Sequence, residues 1–271
     1  MKEDEKCVRS SPTPFEKAYP DISYHIEGYS SLLSQRDLIE EISKEMGFSE
    51  KEDRESALIL EKEIRKNKKI YSVERTIKRL GALIRNKSAF VVGAADCLDE
   101  DLNSFMRMKE EGLYFTPLVL IAADSSLEGM LNGGLFPHVV VTDLDGPLEM
   151  IIQHNRQGGV TVVLAHGHNK EAIKKCLPKM RGYLLGTTQR ESTGVLFNFG
   201  GFTDGDRAVF LAKHFEAKEI VLLGFDFEKV GVRYSCVSSF AKKREKLKWC
   251  KKILDNIDVM RLEDLLKKVK N

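Results

Sequence analysis

Two patterns of hydrophobic and polar positions divide the chain near residue 87. Up to residue 86, apolar residues recur with a helical period among charged ones, as in LIEEISKEM, ALILEKEIRK and SVERTIKRLGALI, which predicts amphipathic helices. Ser34 with Asp37, and Ser49 with Glu52, have the spacing of helix capping boxes, so helices are expected to begin there. We therefore predict a helical N-terminal domain over residues 1–86, and its role as a lid, a dimer surface or packing stays open.

From residue 88 onward, short and nearly continuous apolar runs alternate with amphipathic stretches. The runs are SAFVVGAAD, PLVLIAAD, HVVVTDLDG, VTVVLAHGHN, GYLLGTTQ, VLFNFGGFTDGD and IVLLGFDF. Strands without polar alternation are typical of parallel sheets that helices cover on both faces. Residues 87–271 are therefore predicted to form an α/β domain with a mostly parallel, Rossmann-like sheet, and the periodic lysine-rich C terminus is predicted to be helical.

Composition and charge exclude several classes of protein. The 271 residues are 42% hydrophobic and 31% charged, and 43 basic against 41 acidic residues give a net charge of +2, which argues against a general nucleic-acid binder. The five cysteines lack CxxC spacing, so we expect reduced thiols and no structural zinc site. No apolar run approaches the roughly 18 residues of a membrane span, and the N terminus lacks a signal-peptide core. A cytoplasmic location is therefore expected.

Carboxylate and imidazole groups follow most of the predicted strands. Ligands of parallel α/β sheets bind at the carboxyl ends of the strands. Carboxylates gathered there would repel one another unless a divalent cation offset the repulsion, and hard oxygen ligands favour Mg²⁺. The residues at or just past predicted strand ends are Asp96, Asp124, Asp143, Asp145, His166, His168, Asp204, Asp206 and Asp226.

The segment VVVTDLDG contains a DxD pair at the end of a buried strand. Side chains at positions i and i+2 of an extended segment point the same way, so Asp143 and Asp145 can face one ion together. Gly146 leaves room for a phosphate or a bend. A pair of turn-forming aspartates is the alternative. Asp124, at the end of an earlier strand, either joins this site or caps a helix.

The segment NFGGFTDGDRA joins a glycine pair to the predicted start of a helix. Capping explains one of its carboxylates but not the other or the glycines. We interpret the segment as a phosphate site, in which the helix N terminus attracts the phosphate, a metal binds it, and the carboxylates hold the metal. An arginine here suits bidentate phosphate binding. The residues assigned to this site are Gly200, Gly201, Thr203, Asp204, Asp206 and Arg207.

Histidines lie two apart in LAHGHN, as His166 and His168. We interpret them as contacts to phosphate or substrate, because imidazoles are good hydrogen-bond partners for both. A transition-metal pair is the alternative, although the longer HxHxDH and HExxH patterns of zinc hydrolases are absent. The third possibility is that they are core or turn histidines.

The stretch FAKKREKLKWCKK is predicted to form a lysine-rich helix. Lys242 and Lys246 share a face at helical spacing, and either can reach back to neutralise a triphosphate. A solvated surface is the alternative, since charge runs usually have that role. The preceding GVRYSCVSS is expected to be a flexible loop that closes over the site.

The order of these motifs, VVVTDLDG, AHGHN, TTQ, NFGGFTDGDRA, GFDF and a later K…KL, resembles that of the archaeal-type 6-hydroxymethyl-7,8-dihydropterin pyrophosphokinases. That family shares a wider group with flagellin-modification factors of glycosyltransferase-like character. The resemblance implies that magnesium-ATP gives its terminal diphosphate to the hydroxymethyl group of a reduced pterin and releases AMP, on a path to folate or a methanopterin-type cofactor. The strand-end aspartates also look similar to those of thiamine pyrophosphokinase.

The resemblance implies a role for individual residues as well. One or two Mg²⁺ ions are expected to bind Asp143, Asp145, Asp204 and Asp206. Arg207 is expected to bind phosphate, and His166 to hydrogen-bond the attacking hydroxyl or a phosphate. Asn169 is also carried over as a site residue. The sequence departs from the family at GAADC, where relatives have a GxGPS-like turn, and at HGHN, where they have HGDN. No role is therefore copied onto the first loop, and His168 is not expected to bind metal.

Other features of the function stay open at this point. Asn198 and Asp226 are assigned to the amino-pyrimidine edge of the pterin. The expected partners are ATP and the reduced pterin, with a homo-oligomer left open and no nucleic acid or membrane. The alternatives are a DxD glycosyltransferase that uses a nucleotide sugar, a thiamine pyrophosphokinase-like enzyme acting on another alcohol, a non-enzymatic nucleotide or pterin sensor, and a zinc hydrolase.

Overall fold

A sheet of eight parallel strands forms the centre of the protein. The computed structural model describes residues 29–190, 193, 195–234 and 239–270, without the side chains of residues 29–37 and 270. The strands are β1 (Ser88–Val92), β2 (Leu118–Ala123), β3 (Val139–Thr142), β4 (Val160–Ala165), β5 (Leu184–Thr188), β6 (Leu196–Phe197), β7 (Glu219–Leu223) and β8 (Met260–Arg261). All seven predicted strands are present, and the short β8 is an addition to them.

Helices lie on both faces of this sheet. None of those in the described segments is long and apolar enough to cross a lipid bilayer. They are α1 (Tyr29–Met46), α2 (Glu50–Lys66), α3 (Val73–Ile84), α4 (Leu98–Glu110), α5 (Ser126–Asn132), α6 (Leu148–Arg156), α7 (Lys170–Cys176), α8 (Asp204–His214), α9 (Phe240–Leu254) and α10 (Leu262–Lys270).

Alternation of side chains across the sheet explains why the strands are mostly apolar. Every residue of β1 is buried. Phe90 and Val92 belong to the core on one face, whereas Ala89 and Val91 belong to the core on the other. Because successive side chains point to opposite faces, a strand covered on both sides has few positions that favour polar residues. The predicted α/β fold with a parallel, Rossmann-like sheet is therefore confirmed.

The N-terminal helices pack directly against this sheet. Leu60 and Ile64 of α2 enter the same core as Phe90, and Leu80 of α3 enters the core on the opposite face. Each helix therefore covers a different face of the sheet. The division of the chain at residue 86 stays a prediction.

The two capping predictions have different outcomes. Ser49 is the N-cap of α2, and its hydroxyl accepts the Glu52 backbone N–H at 3.3 Å. The predicted helix start at Ser34 is wrong, because α1 already begins at Tyr29. A capping residue is a local signal. It does not mark the start of a helix when the helix already extends on its N-terminal side.

Strand order creates a crevice at the carboxyl edge of the sheet. Across the sheet the order is β6-β5-β4-β3-β2-β1-β7-β8. The chain therefore moves outward from β1 to β6 and then returns to place β7 on the other side of β1. Loops that leave β1 and β7 diverge at such a reversal, and this is where α/β proteins bind ligands.

Candidate active site

A cavity of about 170 Å³ lies at this reversal. Its walls come from the loops after β1, β2, β3 and β7, the first turn of α8 and one face of α9. The polar and aromatic side chains that line it include Asp124, Asp143, Asp145, Thr203, Asp204, Phe225, Asp226, Phe227, Lys243 and Lys246. Several of the residues predicted from strand ends therefore meet in one place.

Three carboxylates form an acidic cluster in this cavity. One oxygen from each of Asp124, Asp143 and Asp145 lies within 4.8 Å of the others. Asp124 and Asp143 are buried, while Asp145 is exposed. The Thr142 hydroxyl donates to Asp124 Oδ1, and the Ser125 hydroxyl donates to Asp124 Oδ2 at 2.9 Å. Asp124 is thus held beside the DxD pair, and a direct role for it in binding stays a prediction.

The backbone of the DxD segment is turned and not extended. Leu144 has a φ of 66°, a left-handed conformation that is uncommon for a branched apolar residue. The Leu144 N–H donates to the Thr142 hydroxyl at 2.8 Å, and the Asp145 N–H donates to Asp143 Oδ1 at 3.2 Å. The expectation that extended geometry aligns Asp143 and Asp145 is therefore wrong, because a tight turn brings them together.

Gly146 is explained by the neighbouring carboxylate. A Cβ atom at this position would lie 2.0 Å from Asp124 Oδ2, which is far inside van der Waals contact. The absence of a side chain at Gly146 therefore makes room for the carboxylate of Asp124. Contact of Gly146 with a phosphate stays a prediction.

Charge repulsion within the cluster appears in the pKa values of its members. Burial, followed by repulsion from Asp143 and Asp145, raises the pKa of Asp124 to about 8. Burial would also raise the pKa of Asp143, but the hydrogen bond and charge of His166, together with the hydrogen bond to Asp145 and the charge of Lys246, lower that pKa to about 2. Desolvation by the cavity walls, then repulsion from Asp143, raises the pKa of Asp145. The cluster concentrates negative charge that a cation would stabilise.

Asp204 adds a fourth carboxylate to the cavity. It is the first residue of α8, after the N-cap Thr203. Its Oδ1 atom is buried and has no hydrogen-bond partner in the described part of the chain. Burial, followed by repulsion from Asp143 and Asp124, raises the pKa of Asp204 well above its usual value. An unsatisfied buried oxygen that faces other carboxylates fits a cation ligand.

Asp206 has a different environment from Asp204. Its side chain is fully buried, it does not line the cavity, and its Oδ1 accepts the Phe202 N–H at 2.7 Å. Burial raises the pKa of Asp206 to about 7. Thr203 is the N-cap but makes no side-chain capping hydrogen bond. The expected capping box is therefore replaced by the hydrogen bond that the Phe202 N–H donates to Asp206. A metal-binding role for Asp206 stays a prediction.

Arg207 is almost completely buried, with 5% of its surface exposed. Its Nε and Nη2 atoms have no hydrogen-bond partner among the residues that the structure describes. Burial lowers its pKa, while the charges of Asp204 and Asp206 oppose that shift. A Cβ atom on Gly201 would lie 2.8 Å from the Arg207 backbone, so this glycine allows the loop to pack against α8. Gly200 and Gly201 both have positive φ angles, of 92° and 85°.

The loop after β4 places His166 against the acidic cluster. His166 Nε2 lies 3.1 Å from Asp143 Oδ2. The Asn169 amide donates to the Asp143 carbonyl at 2.7 Å and to the Leu164 carbonyl at 2.6 Å, and it holds the loop in place. His168 is exposed, and its ring meets the edge of Phe48 with centroids 6.0 Å apart. His166 and Asn169 therefore reach the cavity through Asp143, because neither lines it.

One face of α9 supplies positive charge to the cavity. Lys243 and Lys246 line it together with Leu247 and Cys250, whereas Lys242 is exposed and does not. The spacing i, i+3, i+4, i+7 marks this face, and it is the signal that could have identified Lys243, which the sequence analysis missed. Residues 235–238 of the expected closing loop GVRYSCVSS lie outside the described residues.

Two residues assigned to the pterin edge occupy different positions. Asp226 lines the cavity, and its Oδ1 accepts the backbone N–H groups of Glu228 and Lys229 at 2.8 and 3.0 Å. Asn198 lies outside the cavity lining, where its side chain accepts the Gly200 N–H and donates to the Arg190 carbonyl. The capacity of either side chain to bind the pterin stays a prediction.

The cavity also has an aromatic wall, which the sequence analysis did not assign. Phe225 and Phe227 line it with ring centroids 6.0 Å apart. Both belong to the GFDF motif that follows β7, and they flank Asp226. The signal for this wall was therefore present in the sequence as alternating phenylalanines after a strand.

The sequence matches a known family across most of the described fold. A model of the family described as 6-hydroxymethylpterin diphosphokinase MptE-like matches residues 59–231. A 6-hydroxymethyl-7,8-dihydropterin pyrophosphokinase of Methanothermobacter thermautotrophicus is 39% identical over 222 residues, covering 79% of this chain and 89% of that relative. The protein of the same name from Pyrococcus furiosus is 38% identical over 222 residues, covering 80% of this chain and 89% of the relative.

A solved structure, the MAf glycosyltransferase from Magnetospirillum magneticum AMB-1, aligns with a TM-score of 0.38 at 13% identity, covering 60% of this chain and 29% of that one. A similarity this distant does not bear on the activity. The family model and the relatives do, because they span most of the chain at substantial identity. The chain therefore belongs to the 6-hydroxymethylpterin diphosphokinase MptE-like family and is a diphosphotransferase, which confirms the resemblance shown by its motifs.

Proposed function

We propose that this protein transfers the terminal diphosphate of ATP to the hydroxymethyl group of 6-hydroxymethyl-7,8-dihydropterin and releases AMP. The observation that carries the proposal is the cluster of Asp124, Asp143 and Asp145 oxygens within 4.8 Å of one another in the cavity, in a chain of this family. The product would serve the biosynthesis of a folate or tetrahydromethanopterin-type cofactor.

The acidic cluster fits a magnesium site. Mg²⁺ prefers oxygen ligands and commonly uses a few carboxylates together with substrate phosphates and water. The raised pKa of Asp124 and the unpartnered Oδ1 of Asp204 both indicate that the nearby positive side chains do not fully compensate the charge of the carboxylates. We assign Asp124, Asp143, Asp145 and Asp204 to this ion. When bound, Mg²⁺ would neutralise the phosphate oxygens and make the β-phosphorus a better electrophile.

Positioning and charge neutralisation are the tasks left to the chain. The pterin hydroxyl oxygen attacks the β-phosphorus, and the hydroxyl proton passes to water. The bond from that phosphorus to the oxygen bridging it to the α-phosphate breaks, and AMP leaves with that oxygen. Lys243 and Lys246 line the cavity and would bind the phosphate oxygens. His166 holds Asp143 through its Nε2 atom. Phe225 and Phe227 would stack on a flat ring.

A nucleotide product assay tests this function. The protein is incubated with ATP, Mg²⁺ and 6-hydroxymethyl-7,8-dihydropterin, and AMP is separated from ADP. AMP that appears in proportion to the pterin supports diphosphate transfer. ADP would indicate phosphate transfer or ATP hydrolysis and would contradict the proposal, as would the absence of nucleotide turnover by folded protein.

Substitution of Asp145 tests the metal assignment. Asp145→Asn is expected to lower the turnover number by about 100-fold or more, equivalent to about 2.7 kcal/mol, because one metal-binding charge is lost. Asp258→Asn, at an exposed site away from the cavity, is the matched control. Near-normal turnover of Asp145→Asn at saturating Mg²⁺ would exclude this residue as a metal ligand.

A further inference from the structure

Asp53, in the first turns of α2, is buried beside the loop that carries His166. Only 3% of its surface is exposed. Its Oδ1 accepts the Gly167 backbone N–H at 2.9 Å, and its Oδ2 accepts Arg190 Nε and Nη2 at 3.1 and 2.8 Å. Both carboxylate oxygens are therefore used, one on the loop after β4 and one on a guanidinium that follows β5.

The approach of α2 to this loop is unusually close. A Cβ atom on Gly167 would lie 2.7 Å from the Glu52 Cβ, so the helix and loop can meet only because residue 167 is a glycine. One turn further along α2, the Ser56 hydroxyl donates to Asn169 Oδ1 at 2.9 Å. The same Asn169 Oδ1 accepts the His166 N–H at 3.1 Å. Two consecutive turns of α2 thus hold the two ends of one loop.

The contacts of this loop continue to the acidic cluster. His166 Nε2 lies 3.1 Å from Asp143 Oδ2, and the Asn169 amide donates to the Asp143 carbonyl at 2.7 Å. A displacement of the loop would therefore move both the side chain and the backbone of Asp143. Ser56 is one hydrogen bond from Asn169, which itself bonds to Asp143, and Asp53 is one hydrogen bond from Gly167, the chain neighbour of His166.

Arg190 extends the same connection to a second loop. Its carbonyl accepts the Asn198 amide at 3.1 Å, and Asn198 Oδ1 accepts the Gly200 N–H at 3.0 Å. Gly200 belongs to the turn that leads into α8 and Asp204. The Asp53–Arg190 pair therefore connects α2 with the loops on two sides of the acidic cluster.

We propose that Asp53 is a positioning residue of the diphosphate-transfer site, which acts through the Gly167 N–H on His166 and Asp143 and is supported by Ser56 through Asn169. Helix α2 is thereby a structural part of the site and not a detachable cover. The inference rests on the proposed function for its kinetic consequence, but not for its consequence on metal binding. Residues that orient metal ligands commonly change metal affinity or activity by about 10–100-fold when replaced.

Two readouts separate positioning from a general loss of folded protein. The first is the Mg²⁺ concentration that gives half-maximal AMP formation, and the second is the dissociation constant of Mn²⁺ measured by electron paramagnetic resonance without substrates. Neither quantity depends on the fraction of protein that is folded, whereas a merely structural role would lower only the maximal rate. Thermal unfolding of each variant establishes that it is folded.

Four variants form the test. Asp53→Ala is expected to raise both quantities about tenfold or more. Asp53→Asn keeps an acceptor for the Gly167 N–H and is expected to lie between Asp53→Ala and the wild type. Ser56→Ala keeps the ion pair with Arg190, and it is expected to shift both quantities about threefold, as for one neutral hydrogen bond. Glu55→Gln breaks the 2.6 Å ion pair of α2 with Lys170 of α7 without touching the loop, and should change them less than about twofold.

The outcomes are distinct from those of the proposed function. If the wild type forms no pterin-dependent AMP, the proposed function fails and the Mn²⁺ comparison alone decides the role of Asp53. Should Asp53→Ala fail to fold, Ser56→Ala and Asp53→Asn decide it. Folded variants with wild-type Mn²⁺ affinity would overturn the inference, as would a wild type that binds no Mn²⁺. A shift in Glu55→Gln equal to that in Asp53→Ala would overturn it as well.

Discussion

Gly146 and Asp124 illustrate how a single side chain decides the geometry of the acidic cluster. Asp124 is 5% exposed and receives hydrogen bonds from two hydroxyl groups, so it has little freedom to move. Its Oδ2 occupies the space that a side chain at residue 146 would need. The DxDG segment therefore combines two carboxylates with a position that must stay empty for a third, that of Asp124.

Gly146→Ala tests this arrangement. The added Cβ lies 2.0 Å from Asp124 Oδ2, so the carboxylate or the turn must shift. We expect the free energy of unfolding to fall by about 1–3 kcal/mol and the rate of AMP formation to fall about 10–100-fold, because small misplacements of reacting groups are costly. Urea unfolding and initial rates measure the two effects.

Gly133→Ala is the matched control for this substitution. Its Cβ would lie 3.4 Å from the Gly129 carbonyl oxygen and 3.7 Å from Leu102, so no atom needs to move far. Its activity should be close to that of the wild type. Equal activity of the two variants would contradict the steric role of Gly146.

His214, near the end of α8, has a pKa that predicts part of the acid sensitivity of the fold. Burial lowers the pKa of His214 to about 4, so between this value and about 6.5 the unfolded chain binds the proton more strongly. The stability that the neutral ring contributes is present above pH 6.5 or so and is lost as the pH falls through about 4. The loss is at most about 3 kcal/mol.

His214→Phe should reduce this loss while keeping the aromatic packing against Phe199 and Phe215, whose ring centroids lie 4.6 and 5.1 Å away. The measurement is the free energy of unfolding in urea at several pH values from 7 down to 4. The variant is expected to lose less stability over this range than the wild type. Parallel curves for the two proteins would show that His214 does not titrate as described.

At the scale of the secondary-structure element, α9 shows that only the lysines on one side of a charged helix reach the cavity. The helix begins after the N-cap Ser239, whose hydroxyl accepts the Lys242 N–H at 3.4 Å. Toward its C-terminal end, the helix buries Trp249 and Cys250. Lys243 and Lys246 lie on the side of the helix that lines the cavity, and Lys242 points away into solvent.

Lys246→Ala and Lys242→Ala form a matched pair on this helix. Lys246→Ala is expected to raise the KM for ATP about tenfold, because a charge-assisted contact to phosphate contributes about 1.5 kcal/mol. Lys242→Ala should change it less than about twofold, as expected for an exposed charge. Steady-state kinetics at saturating pterin measures both, and a larger effect at Lys242 would contradict the assignment of the cavity-facing side.

The same scale shows what periodicity predicts well. Most strands were predictable because they are largely apolar, and α2 was predictable because Ser49 and Glu52 mark its start. Periodicity did not predict the short β8, which has two residues and no pattern of its own. It also did not separate Asp204 from Asp206, since both are acidic residues in the first turn of one helix.

At the scale of the whole molecule, the N-terminal helices and the sheet share their cores. Leu60 of α2 and Leu80 of α3 are fully buried on opposite faces of the sheet. Neither face is complete without its helix, so the part of the chain after residue 86 would expose apolar surface on both sides. This arrangement also places Asp53 and Ser56 against the loop that carries His166.

A chain that begins at residue 87 is therefore expected not to unfold cooperatively. Removal of a large buried aliphatic side chain costs about 2–5 kcal/mol, and this deletion removes several from both cores, against a typical total stability of about 5–15 kcal/mol. Circular dichroism during thermal unfolding compares it with the full chain. A sharp transition near that of the full chain would show that residues 87–271 fold alone.

Local patterns along the chain were sufficient to identify the parallel α/β fold, most of the strands, the DxD segment and the family. These depend on which residues are apolar and on motifs of a few positions, and both are readable without knowing what lies nearby. The resemblance supplied the activity, because the order of the motifs along the chain can also be read from the sequence alone.

The assembly of the site depended on contacts between residues distant in sequence. The space beside Gly146 admits Asp124, and α2 brings Asp53 to Gly167. Such contacts follow from strand order and from the close approach of loops and helices, which no short stretch of sequence contains. The chemistry of the site could thus be predicted from the residue types. Its geometry was decided only by the folded sheet, which brings the loops that carry these residues together.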